Sequence, residues 1–525
     1  MKKIIYFIVL LTSTVFYAQS DIKVDIKKSE ILKEKSKHTK IEFSDSDDNG
    51  GIITVKSINT AFLSTKEYII DHFDANLKLI KSVTIPNEKR SKILNAFVKN
   101  GNIYLIQRQM NRKEKSLTFY VHTASVNSLK FSKKELLVLD KDKVKKYFAV
   151  AVGLLYFDNG INQSDGDHMG KITISKNKKY ILLSLDIKKK EKETHLFIVF
   201  NDAFKKVYQT YFERDIKDKY FDFEDVDISD YDGTIFLLGK AYENKSRKSK
   251  KKGKTNYHYE VYKLSKDGKQ QLNIKEPEKF IGSLYALHNK GQIALVGFYS
   301  DKDDYRYKGV CRYDLSNDLK IINKSFQPFS TQFFEDKYKK GAKVKKKHKE
   351  LKHLAIKSIF LDNEGNVVIN AEEQYITRYY SQSQHGGHWV TVYNFDDIIT
   401  VKLDKNGKLI WARNINKWQT GFVNSSFTAI FVNNKNYIFL NASDKIKKLS
   451  NNRISFRQTS GKKSNLYVIR IDEKGDFTYK KLIDDKESKV WYKVADGIVN
   501  TKEKSVIFQG VKKKYQRILK VTIKE

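Results

Sequence analysis

Ile399-Thr-Val-Lys-Leu-Asp404-Lys-Asn-Gly407-Lys-Leu-Ile-Trp411 is the stretch on which the fold turns. Apolar and polar residues alternate from Ile399 to Leu403, the period of a half-buried strand. Asp404 caps the following turn through its side chain, and Gly407 supplies the positive φ that the turn needs. A second alternating strand leaves through Leu409 and Trp411. The arrangement returns in Tyr467-Val-Ile-Arg-Ile-Asp472-Glu-Lys-Gly475-Asp-Phe-Thr-Tyr479 and in Tyr259-Glu-Val-Tyr-Lys-Leu-Ser265-Lys-Asp-Gly268. Weaker copies run from Tyr68 to Asp74, from Leu196 to Asn201 and from Val310 to Asp314. Another apolar strand precedes each copy, as at Gly233 to Gly239, Gly291 to Gly297 and Gly365 to Asn370.

The repeating unit is therefore four antiparallel strands in roughly 50–65 residues, the sequence signature of a propeller blade. About eight units are expected, starting near Lys40, Ser91, Phe148, Phe221, Phe280, Leu351, Ser425 and Val490. Seven remain open, because the segment from Lys141 to Gly170 carries little pattern. Two smaller β domains are the competing architecture. The last unit is one strand short, and Ile22-Lys-Val-Asp-Ile26 is a spare strand at the other end of the chain. Pairing the two removes two open sheet edges, so the N-terminal strand is expected to close an all-β ring. The motif resembles the Asp-x-x-Gly-x-x-x-Trp repeats of exported bacterial β-propellers. Only Asp404 to Trp411 keeps the whole motif, and the resemblance implies the fold without an activity, since such propellers serve as enzymes, scaffolds and receptors.

Lys2 and Lys3, an apolar run from Ile4 to Tyr17 and the exit Ala18-Gln19-Ser20 form the pattern of a cleavable signal peptide over residues 1–20. The apolar run is shorter than the ~20 residues that span a bilayer. The remaining 21–525 is expected to be one propeller domain in the periplasm, on the outer surface or secreted. Its single cysteine, Cys311, makes no internal disulfide, so the fold depends on burial. With 31 Tyr and 32 Phe against 3 Pro and 3 Met, composition favours strands. The net charge is +38, or +36 once Lys2 and Lys3 leave with the signal. Such a surface attracts anions, although solvated lysines spread along the chain account for it equally well. Lysine-dense insertions near 244–255 and 336–352 add to it. Nucleic acid is not expected as a partner, because no nucleic-acid module is visible and export places the chain away from it. An envelope protein or an anionic glycan fits better.

Two segments stand out as candidate sites. Asp45, Asp47 and Asn49, followed by Gly50, space oxygens as the first half of a calcium loop does. Lys56 stands where an EF-hand needs its last glutamate, so only a strand-flanked calcium site survives, beside the plainer reading of a polar turn. Asp165-Gly-Asp167-His168 is a weaker cluster of the same kind. The second segment, Glu372 to Asp397, is dense in aromatics, with Tyr375, Tyr379, Tyr380 and Trp389, and holds His385 and His388. Two histidines three apart are half of a zinc site without a third ligand. An aromatic loop instead stacks on sugar rings or grips a protein, and packing on a neighbouring blade is the alternative. No Gly-x-Ser-x-Gly elbow, His-Glu-x-x-His helix or phosphate-cradling loop occurs. A binding or scaffold propeller of the cell envelope is thus the first expectation, and a carbohydrate-active enzyme on acidic polysaccharide the second.

Overall fold

The Asp-x-x-Gly turns recur as a physical unit. Asp404 Oδ1 accepts from the backbone N–H of Asn406 and Lys408 at 2.9 and 2.8 Å, while Gly407 sits at φ +80°. Asp472 does the same for Lys474 and Asp476, with Gly475 at φ +90°. The weak copies keep the turn without its glycine. Leu77, Phe204 and Leu319 stand there at φ 62°, 57° and 55°, and all three side chains are buried. The strain of a bulky residue at positive φ is offset by the apolar area each removes from water. At Gly475 the glycine is required for another reason. A Cβ on Gly475 would lie 2.8 Å from Trp411 Cβ, so the motif tryptophan of one sheet rests on the turn of the next.

The structure, a computed structural model, describes residues 22–60, 64–145, 169–189, 191–248, 250–251, 254–289, 292–301, 306–338, 351, 353–383, 386–421, 425–444, 446–449, 453–457 and 464–525. The segment read as a signal peptide and the Asp165 to His168 cluster lie outside these residues. Among them, eight sheets of four or more strands follow one another along the chain. Their first strands are Thr39–Ser46, Ser91–Lys99, Lys171–Ile174, Phe221–Ile228, Lys279–Asn289, Leu354–Leu361, Phe427–Val432 and, in the last, Ile498–Asn500 with Trp491–Tyr492. Strands pair in sequence order within blades 1 to 5 and 7. Blade 6 adds Ile454–Arg457, which pairs in parallel with Asn416 to Trp418.

Burial falls off from the middle of each sheet to its fourth strand. Tyr180–Asp186 and Glu193–Asn201 in blade 3 are almost wholly buried, whereas Lys206–Arg214 alternates exposed and covered residues. Among the described residues eight apolar clusters join the blades. Each spans one interface between successive sheets, and one packs Ile507 and Ile518 of blade 8 against Ile41, Ile52 and Phe73 of blade 1. That last cluster makes the array a ring. The ring is closed as the sequence implies: Val24–Lys28 pairs antiparallel with Tyr515–Ile523, from Val24 opposite Ile523 to Lys28 opposite Leu519. Ile22 is buried in the interface of blades 7 and 8. Glu525 receives Arg470 and Lys435 of blade 7 at 2.8 and 2.7 Å, and the backbone N–H of Lys23 at 3.1 Å. The chain is a β-propeller closed by its N-terminal strand. Among the described residues no helix is long and apolar enough to cross a membrane.

Candidate functional site

In blade 6 the second and third strands outgrow the sheet. Val367–Ser383 and Gly386–Leu403 stay paired from Val367 opposite Leu403 to Ser383 opposite Gly386, while the fourth strand leaves them after Asn394. The last eight pairs, from Ile376 opposite Tyr393 outward, make a two-stranded ribbon. At ~3.3 Å per residue it extends by roughly 25 Å. Directly opposed residues share a face, which puts Ile376, Arg378, Tyr380, Trp389, Thr391 and Tyr393 on one side. Tyr375, Thr377 and Tyr379 take the other.

Both faces of the ribbon are open. Tyr379, Tyr380 and Trp389 are 53%, 55% and 69% exposed, and Trp418 on the adjoining strand is 58% exposed. Tyr380 and Trp389 pack edge to face with centroids 5.6 Å apart. The Arg457 guanidinium lies 5.7 Å above the Trp418 ring. Rings of this size normally bury themselves, so their display on a ribbon without a covering layer needs a reason other than the core. The expected aromatic segment is thus brought together in part. Tyr380 and Trp389 form the outer patch on one face, Tyr379 stands on the opposite face, and Tyr375 sits at the foot with its hydroxyl donating to Asp396 Oδ2 at 2.5 Å. His385 and the side chain of His388 lie outside the described residues.

A rigid foot carries this arm. Lys417 and Glu372, both fully buried, form an ion pair, and Glu372 Oε2 also accepts from Ser426 Oγ at 2.7 Å and Gln374 Nε2 at 2.8 Å. Lys337, at the end of the helix Thr331–Lys337, reaches Glu373 at 2.7 Å and Asp397 at 3.0 Å. Burial pushes the Glu373 carboxyl up to about 7 against the opposing charge of Lys337. Asp397 takes two more donors, Asn414 Nδ2 at 2.9 Å and the Lys417 N–H at 3.0 Å. Isolated hairpins are marginal in water, so these charge-assisted bonds are what hold the ribbon's base in one geometry. The lysine-dense insertion after this helix, 339–350, lies outside the described residues. Of the other insertion, Lys250–Lys251 pairs with Lys254–Thr255 as a short hairpin.

The residues of the expected calcium loop go to separate partners. Asp45 Oδ2 accepts from the Val98 N–H at 2.8 Å and from Lys178 at 2.5 Å. Asp47, buried, contacts His72 Nε2 at 2.9 Å and accepts from the Asn49 N–H at 2.8 Å. A Cβ on Gly51 would lie 2.5 Å from Asp47 Oδ2, so glycine is what admits this carboxylate. These contacts fasten blade 1 internally and, through Asp45, to blades 2 and 3. On the innermost strands a bulge recurs at one place, at Glu42, Leu94, Glu224, Gly282 and Lys357. Acidic, apolar and basic residues alternate there, without a shared chemistry.

Sequence reasoning missed one cluster altogether. Asp186, Glu193 and His195 of blade 3 are buried, with ligand atoms within 4.8 Å of one another. Glutamate and histidine two apart on a strand share a face, which was the signal available.

No family model matches the chain, and no curated protein matches it. Among solved structures it is similar to the β-propeller domain of the Trilobed protease from Pyrococcus furiosus, at 11% identity and a TM-score of 0.36, covering 86% of this chain and 98% of that one. It is also similar to prolyl oligopeptidase B from Galerina marginata, at 10% identity and a TM-score of 0.38, over 91% of this chain and 56% of that one. The acylaminoacyl peptidase of Pyrococcus horikoshii gives 9% identity and 0.37, over 83% of this chain and 53% of that one. The likeness is to propeller-bearing proteases as folds, with no sequence family behind it, and the propeller architecture stands on this chain's own sheet order and register.

Proposed function

We propose that this chain is an exported binding propeller of the cell envelope that takes an anionic polysaccharide on the ribbon of blade 6. The observation that carries the reading is the exposed pair of Tyr380 and Trp389, with Tyr379 displayed on the opposite face of a ribbon open on both sides. Flat rings present an apolar face to the carbon-bound hydrogens of a sugar, while Arg378 beside them and Arg457 over Trp418 supply forked donors for its carboxylates. The surplus of lysine over acid raises the local concentration of such a polymer at low salt. The foot built on Lys417 and Glu372 keeps the rings in place, so little is lost in ordering them on binding.

The test is calorimetric titration of the mature chain with a uronate-bearing polysaccharide and with a neutral one. Saturable binding of the acidic polymer is expected, weakened at least about tenfold in Trp389→Ala and Tyr380→Ala, as the loss of an aromatic anchor implies. The two side chains are exposed, so both variants should melt with the wild type. Binding unchanged by either substitution, or no stronger than that of a basic protein of matched charge, defeats the reading. Selective capture of an envelope protein on the same rings, with the polymer ignored, defeats it equally.

A further inference from the structure

The cluster in blade 3 is made by three separate stretches of chain. Asp186 ends the second strand, and Glu193 and His195 open the third. Asp218 comes from the 3-10 turn Asp218–Tyr220 that leads to blade 4, and Lys145 from the segment before blade 3. Lys145 bonds Asp218 and lies 3.2 Å from Asp186. Glu193 Oε1 and His195 Nε2 are 2.7 Å apart. Glu193 is only 3% exposed, yet its second oxygen, Oε2, has no hydrogen-bond donor among the described residues. Among the described residues the three carboxylates, once Glu193 has lost its proton, outnumber the one ammonium by two charges when the imidazole is neutral.

We propose that Asp186, Glu193 and His195 form a binding site for a divalent first-row transition-metal cation of the zinc class. Two positive charges balance the excess, and the orphaned Glu193 oxygen gains the partner it lacks. One imidazole nitrogen with two carboxylates suits zinc, whereas calcium and magnesium take shells of oxygen alone. The donor atoms already lie within 4.8 Å of one another, against the roughly 3.3 Å set by tetrahedral bonds of ~2.0 Å. The His195 ring is held for the task by Phe223, 4.4 Å away between centroids, and by Phe197 and Phe212, each at 6.1 Å. Such an apolar collar keeps water from competing for the ion. Bound there, the cation ties the two central strands of blade 3 together at the end where the chain crosses to blade 4.

The experiment uses the mature chain stripped with a chelator and then titrated with Zn2+ alone, with metal content read after gel filtration. One retained Zn2+ per chain and a raised melting temperature are expected, as is affinity at least about tenfold weaker in Glu193→Gln and in His195→Gln. The same titration with Ca2+ should leave the melting temperature where it was. No retained zinc in the wild type, or retention that neither substitution changes, overturns the site. If the variants do not fold, Co2+ in the wild-type chain decides. Strong visible bands of a low-coordinate nitrogen–oxygen site support the proposal, and the weak spectrum of the hydrated ion overturns it.

Discussion

Blades 3 and 4 are neighbours in the ring, and each opens its third strand with a glutamate and a histidine two residues apart. Blade 3 has Glu193-Thr-His195, and blade 4 has the reverse order, His258-Tyr-Glu260. Both carboxylates are buried. What surrounds them is opposite. Glu260 accepts from Arg214 Nε at 3.0 Å and Nη2 at 2.9 Å, and from Tyr262, with His258 Nε2 at 2.9 Å. Burial alone would raise its carboxyl, but His258, Arg214 and Tyr262 outweigh burial and hold it at about 2. Glu193 faces acceptors. Burial, then the Asp218 carboxyl and the charges of Asp186 and Asp218, push it up to about 10, and Lys145 offsets only part of this. Blade 1 shows a third solution, with Lys56 placed between Glu34 and Asp71 in one buried triad. The residue type and its burial do not decide whether an acid is ionised; the donors delivered by neighbouring strands do.

The largest expected effect comes from removing the charge that is satisfied. Glu260→Gln leaves Arg214 and His258 beside a neutral amide and should lower the unfolding free energy by about 3 kcal/mol in denaturant titrations. A loss below about 1 kcal/mol would mean that Arg214, which keeps partial access to water, solvates itself without help, and the contrast between the blades would be one of geometry alone.

The pH dependence of stability separates the two acids next, because their shifts have opposite signs. Glu260 sits below the unfolded value near 4.5, so its contribution is present above that pH and is lost as pH falls toward about 2. Glu193 sits above it. Its protonated form stabilises the metal-free fold below about 4.5, and that contribution drains away as pH rises toward about 10. In chelator, Glu260→Gln should therefore flatten the acid limb of the stability curve and leave the alkaline limb, while Glu193→Gln does the reverse. Thermal unfolding across pH reads both limbs. An alkaline limb that survives Glu193→Gln assigns it elsewhere, for instance to Lys56, whose ammonium is held above its usual range by Asp71 and Glu34 against the effect of burial.

How far these blades were legible in the sequence follows from the range of the signals. Alternation and the Asp-x-x-Gly turn are local, so the strands of blades 6 and 7 stood out, and the spare strand behind residue 20 found its place opposite Tyr515–Ile523. Units with a leucine or phenylalanine at the turn's glycine position looked weak because the rule expects glycine, while Leu77, Phe204 and Leu319 exchange backbone strain for a buried plug. The aromatic segment was visible as composition. That it stands free of the sheet was not, since a ribbon solvated on both faces has no apolar period to read. The blade 3 cluster was hidden because its members run from Lys145 to Asp218 and meet only when two blade connections fold over one strand end. Asp45, Asp47 and Asn49 were visible as a spacing, and which strands they would reach was not: the oxygens of Asp45 and Asp47 serve Val98, Lys178 and His72.

The smallest effect is the sharpest measure of the comparison. With chelator present at neutral pH, Glu193 already carries a proton, so Glu193→Gln exchanges one neutral side chain for another of the same shape. The new amide also offers N–H donors to the Asp218 carboxylate, in place of the single O–H of the protonated acid. Stability should stay within about 0.5 kcal/mol of the wild type or rise slightly, in contrast to the loss from the identical substitution one blade away. A penalty near that of Glu260→Gln would show that Glu193 is ionised and paired in the metal-free fold. One of the two excess negative charges would then be met by His195 as an imidazolium, and Glu193 would be paired with it as Glu260 is with its own donors.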